Sequence, residues 1–182
     1  MNKGLKGALI EVLRMGVYIL IVLLLTYLFI TFVAQRTEVK GSSMYNTLED
    51  GDSLLVDKIS YRFKDPQRFD IIVFPFQHAQ DTYYIKRIIG LPGETVRIDE
   101  EGTIYIDGEV LQESYGYEVI KEPGIAEDEI VLGKDEYFVM GDNRNNSTDS
   151  RSDMVGNIHK DKIVGKAFIR ILPFSKFGKI DK

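Results

Sequence analysis

Lys86 lies in Thr82-Tyr83-Tyr84-Ile85-Lys86-Arg87-Ile88-Ile89, a run whose aromatic and β-branched residues predict a β-strand. Side chains alternate across a strand, so Tyr84, Lys86 and Ile88 share one face. An amine held between apolar neighbours loses its water, and desolvation disfavours the ammonium form. Lowering a lysine pKa from about 10.4 by about three units costs about 4 kcal/mol. A chain carries such a cost where a neutral amine serves as a base near neutral pH. The plainer alternative is a lysine that reaches solvent along its alkyl stem. A serine hydroxyl attacks only when a neighbouring group takes its proton. Gly41-Ser42-Ser43-Met44-Tyr45-Asn46-Thr47-Leu48 offers two serines among small residues that permit a tight turn. A third segment, Gly141-Asp142-Asn143-Arg144-Asn145-Asn146-Ser147-Thr148-Asp149-Ser150-Arg151, alternates acids with arginines. That pattern suits a loop bonded to itself by bidentate contacts and able to orient a serine or a lysine. It also reads as a solvated loop containing a glycosylation acceptor.

Other chemistry has little material. The chain has no cysteine, which removes disulfides, thiol catalysis and thiolate metal sites. The two histidines, His78 and His159, sit in polar surroundings that read as surface loops, so a histidine triad or a zinc site is not expected. No cofactor is expected. A net charge of −5 argues against nucleic acid as a partner.

These segments must be positioned by the rest of the chain. Met15 to Ala34 carries no charge and is dominated by aliphatic and aromatic residues, about the 20 residues an α-helix needs to cross a bilayer. Lys3, Lys6 and Arg14 outnumber Glu11 before it, whereas Arg36, Glu38 and Lys40 nearly balance after it. The positive-inside rule then places residues 1–14 in the cytoplasm, 15–34 across the membrane and 35–182 outside the cell. A cleaved secretory signal would have a shorter apolar core and a small-x-small site, for which Phe32-Val33-Ala34-Gln35 is a poor match.

Beyond Val39 the expected fold class is mainly β, an antiparallel catalytic domain. Short runs recur at Ser53–Val56, Ile71–Phe74, Tyr83–Ile89, Val96–Ile98, Ile104–Ile106, Tyr137–Met140 and Ala167–Ile171, divided by turn signals such as Leu91-Pro92-Gly93 and Asp107-Gly108. Glu101-Gly102 predicts a hairpin between Val96–Ile98 and Ile104–Ile106. The acidic stretch Glu109–Asp135 is less regular and reads as an insertion or mobile loop.

Taken in order, the anchor, the Ser-Met box, Tyr84-Ile85-Lys86-Arg87-Ile88-Ile89-Gly90-Leu91-Pro92-Gly93 and the Gly-Asp-Asn-Arg box resemble bacterial type I signal peptidases, as does Arg68–Phe74. The resemblance spans the whole chain. It implies a membrane-bound serine endopeptidase with a Ser–Lys dyad and no histidine, acting on signal peptides of secretory precursors. It implies Ser43 as nucleophile and Lys86 as general base. Ser147 would hydrogen-bond Lys86, while Asp142, Asp149 and Arg151 hold the loop. The Ser43 N–H would serve the oxyanion, and Val39, Met44, Tyr84 and Ile85 would line apolar substrate pockets. Three departures stand out: Gly41 occupies a position where some members have a hydroxyl, Asn46 stands where proline is usual, and Ser152-Asp153-Met154-Val155-Gly156 lacks the aromatic residue that many members place close to the glycine. A self-cleaving repressor-type Ser–Lys protease would need a DNA-binding module in place of the anchor. A non-catalytic relative would lack Ser43, Lys86 or Ser147.

Overall fold

The structure, a computed structural model, describes residues 3–180; the first two residues of the expected cytoplasmic stretch fall outside that range. Helix α1 (Lys3–Phe32) is followed by strands β1 (Ala34–Glu38), β2 (Ser53–Asp57), β3 (Ile71–Pro75), β4 (Tyr83–Gly90), β5 (Thr95–Ile98), β6 (Ile104–Ile106), β7 (Glu109–Val110), β8 (Ile130–Val131), β9 (Glu136–Met140), β10 (Ile158–His159), β11 (Gly165–Leu172) and β12 (Gly178–Lys179). Among the described residues the only other helical pieces are 3₁₀ turns of three or four residues. Within α1, Ile10–Leu28 has a mean hydropathy of 2.0 and packs against nothing. Soluble monomers rarely expose a continuous apolar surface of this size, which marks a membrane or protein contact.

Every strand pairing is antiparallel. The larger sheet runs β1-β2-β11-β3-β4-β9-β10, with β12 on β11, and the smaller runs β7-β6-β5-β8. Central strands are buried on both faces, so they read as unbroken apolar runs. Along β9, Tyr137 and Val139 join one core with Ile72, Phe74 and Ile88, while Phe138 and Met140 join another with Ile89, Val96 and Ile98. The second core cements the small sheet to the large one. The hairpin expected at Glu101-Gly102 forms, with Ile98 opposite Ile104.

Two expectations are corrected. The helix ends at Phe32, and Ala34 opens β1 opposite Asp57, where the backbone pairs with β2 and Arg36 donates to Ser53 Oγ. The stretch Glu109–Asp135 is not a loose loop. It contributes β7 and β8, and it buries Ile120, Ala126 and Leu132 in the core beneath the small sheet. Most of its acidic residues are exposed, which disguised the apolar ones, while Glu113 turns inward to pair with the buried Arg144 at 2.8 Å.

Candidate active site

Ser43 lies in the turn that joins β1 to β2. Val39 N–H donates to Asp52 O at 2.8 Å and Gly51 N–H to Val39 O at 2.9 Å, closing the base of the connection. Gly41 has φ +85°, a left-handed conformation that a side chain disfavours, and its N–H donates to the Asp50 carboxylate. Past it, Tyr45 N–H returns to Ser42 O and Leu48 N–H to Met44 O, a helical turn that leaves Ser43 at its tip.

Lys86 comes to the same point from β4. The first half of β4 pairs with β3, Lys86 opposite Ile72, and only its second half pairs with β9. Residues Tyr83–Lys86 therefore leave one edge without a strand partner. The Lys86 side chain is 3% exposed, and its Nζ donates to Ser43 Oγ at 2.7 Å and to Ile85 O at 3.1 Å. Burial lowers its pKa from 10.5 to about 8, partly opposed by the charges of Asp149 and Asp142. At such a value a usable fraction of the amine is neutral near neutral pH, and a neutral Nζ accepts the Oγ proton along the hydrogen bond already in place.

The loop after β9 fastens this pair from above. Asp142 is fully buried and takes Arg87 Nε at 2.8 Å and Nη2 at 2.7 Å, a two-pronged ion pair. The same guanidinium donates to Phe69 O and lies 3.8 Å from the Tyr115 ring centroid. Asp149 takes Arg151 Nε at 2.8 Å and Nη2 at 2.9 Å and also accepts from Gly141 N–H. Gly141 must be glycine for lack of space: a Cβ there would collide with Ser147 Oγ and with Ser43 O. A groove of about 830 Å³ runs past Ser43 and Lys86, walled by residues 36–44 on one side and 81–86 on the other. The β1 wall is the end strand of the large sheet. A serine paired to a depressed lysine, in a groove between two strand edges, is equipped for acyl transfer on an extended peptide.

Residues 12–172 match the family described as signal peptidase, peptidase S26. The chain belongs to this signal peptidase family. It is 40% identical to the probable signal peptidase I-1 of Synechocystis sp. over 169 residues, 89% of this chain and 83% of that protein. Its identity to signal peptidase I T of Bacillus subtilis is 38% over 171 residues, 90% of this chain and 87% of that one. A crystal structure of a signal peptidase I from Enterococcus faecalis aligns over 57% of this chain and 97% of its own, with 35% identity and a TM-score of 0.47.

Within this signal peptidase fold, Ser43, Lys86, Asp142, Asp149 and Arg151 are brought together. Ser147 reaches the same place but does not make its expected bond. Its Oγ is buried against Gly141 without a partner, because Lys86 Nζ is committed to Ser43 and Ile85 instead. Tyr84 and Ile85 are half-buried walls of the groove. Val39 and Met44 also line it, but they are 4% and 1% exposed and pack with Leu48, Leu54 and Ile71, so they form its floor and offer a ligand little surface. Sequence reasoning missed Arg87, Asn143 and Asn146. For Arg87 a signal existed: a cation between Ile85 and Ile89 on the face opposite Lys86 needs a buried acid.

Proposed function

We propose that this chain removes N-terminal signal peptides from exported precursors, with Ser43 as nucleophile and Lys86 as its general base. That it is a peptidase follows from its family. The observation that supports these roles is the 2.7 Å contact between Lys86 Nζ and Ser43 Oγ, made by a buried amine with a pKa of about 8. Neutral Lys86 takes the Ser43 proton, and Oγ bonds to the scissile carbonyl carbon. The tetrahedral oxyanion faces the Ser43 N–H, which makes no hydrogen bond among the described residues. As the C–N bond breaks, the Lys86 ammonium returns its proton to the leaving amine, leaving an ester on Ser43. Water then gives a proton to Lys86 and attacks the ester. Lys86 finally reprotonates Oγ, and the signal peptide leaves with a free carboxylate.

The precursor binds extended between the outer edge of β1 and the unpaired edge of Tyr83–Lys86, adding a strand to either side. Half-buried Tyr84 and Ile85 contact its side chains, and the shallow floor at Val39 and Met44 admits small ones. The chain is a membrane-anchored protein, with the α1 surface covered by lipid. Its N-terminus is cytoplasmic and the β domain extracytoplasmic, so the groove meets precursors still tethered to the membrane.

Incubating the detergent-solubilised protein with a secretory precursor and sequencing the new N-terminus tests this reading. Cleavage at one junction after small residues supports it. Undiminished cleavage by Ser43→Ala or Lys86→Ala removes it. Loss of His78 and His159 leaves cleavage intact.

A further inference from the structure

We infer that Asn146 is a positioning residue for the nucleophile segment, acting through the hydroxyl of Ser42. The inference rests on the Ser43–Lys86 reading above and deepens it. Ser43 sits in a turn outside both sheets, so no strand ladder fixes its distance to Lys86 on β4. The turn's own bonds, Tyr45 N–H to Ser42 O and Leu48 N–H to Met44 O, hold its shape but tie it to nothing else. At its far end Arg87 and Arg170 hold Thr47, and beside the nucleophile the ties come from the loop after β9. Asn143 N–H donates to Ser43 O at 3.0 Å, and Asn143 Nδ2 donates to Ser42 O at 3.1 Å. Asn146 Nδ2 donates to Ser42 Oγ at 2.9 Å.

These bonds are not equivalent. Both Asn143 contacts grip main-chain carbonyls, and the one from its backbone survives any substitution at that position except proline. Asn146 alone grips a side chain, one residue before the nucleophile. It does so from a rigid support: its neighbour Asn145 donates to Val119 O and Glu118 and accepts from Lys121 N–H. The buried Asp142–Arg87 and Asp149–Arg151 pairs flank the same loop. The Asn146–Ser42 bond is exposed, where water replaces a lost partner at little cost to folding. Yet misplacing a catalytic oxygen by about 1 Å costs about 100-fold in rate. A bond weak for stability and large for turnover is the mark of positioning.

The test uses the full chain in detergent micelles with a precursor-derived peptide, reading kcat and KM across pH together with Tm. Asn146→Ala lowers kcat by about 10- to 100-fold, with KM and Tm nearly unchanged. Ser42→Ala gives the same loss, and the double variant is no worse, since one interaction is removed once. Asn146→Asp recovers turnover, because the Ser42 hydroxyl then donates to the carboxylate. The added negative charge near Lys86 also moves the acidic limb of the profile to higher pH. Wild-type kcat in Asn146→Ala, additive losses in the double variant, or a raised KM with unchanged kcat overturns the inference. Turnover persisting in Ser43→Ala removes the Ser–Lys reading itself, and the clamp with it.

Discussion

Lys86 couples catalysis to stability. Only its neutral form can accept the Ser43 proton, so kcat/KM rises as pH passes through about 8 and levels above it. A limb centred near the ordinary lysine value of 10.5 would show an amine that burial has not perturbed. The same shift works against folding. Between pH 8 and 10.5 the unfolded chain binds more protons at this site than the native one, so stability rises with pH across that window. Below it the full penalty applies, about 3 kcal/mol from the size of the shift. Lys86→Met therefore abolishes cleavage yet stabilises the fold at pH 7, with a gain that fades toward pH 10.5; urea melts at both pH values read this directly. Ser147 is the other residue at issue. Its Oγ is buried beside Gly141 without a partner, and the role proposed for it is to take up Lys86 once substrate draws Ser43 away. Ser147→Ala then lowers turnover by about 100-fold and shifts the acidic limb. Profiles identical to wild type make it an ordinary loop serine.

At the scale of elements, the Gly141–Arg151 loop is held by ion pairs where a strand would be held by a ladder. Its acids are buried with their arginines already paired two-pronged, which makes the loop stiff but intolerant of losing one partner. Asp142→Ala strands the Arg87 guanidinium in the interior and costs about 3–5 kcal/mol, measured by denaturant unfolding. Replacing both members, as Arg87→Met with Asp142→Leu, recovers much of that loss, because the cost lies in the stranded charge. Equal destabilisation by the single and double variants would assign the loss to packing. The elements beneath the loop divide their work. The β3–β4–β9 core supplies a rigid support, and one edge of β4 is left unpaired over the few residues that face the groove.

For the whole molecule, the chain joins a lipid-seeking helix to a β domain through a single residue, Val33. Its carbonyl accepts from Lys58 N–H at 2.9 Å, so the helix exit is tied to the end of β2. The groove begins a few residues farther along β1. With the orientation proposed, protease added to intact spheroplasts digests the domain after Val39 and spares the first fourteen residues. A protected domain reverses the topology. Deleting residues 1–28 should leave the cores intact, since Ile10–Leu28 is not buried against any of them.

Local pattern was enough for much of this. Apolar runs bounded by Gly and Pro marked the principal strands, because a buried strand records its environment in its own residues. The unbroken apolar stretch marked the helix for the same reason. Lys86 stood out because a lysine is unusual between apolar strand neighbours, whereas Ser43 and the acid–arginine loop took their expected roles from the order and spacing in which they resemble signal peptidases. Strands that are polar or very short were not legible: Ala34–Glu38 and the two-residue strands take their conformation from the partner they bond. The sequence also could not show that Lys86 spends its hydrogen bonds on Ser43 and Ile85 and leaves Ser147 alone. Nor could it show that Val39 and Met44 sink into the floor, or that Asn146 reaches Ser42 across 104 positions. Those outcomes depend on distances between distant segments, and only the packing of the two sheets sets them.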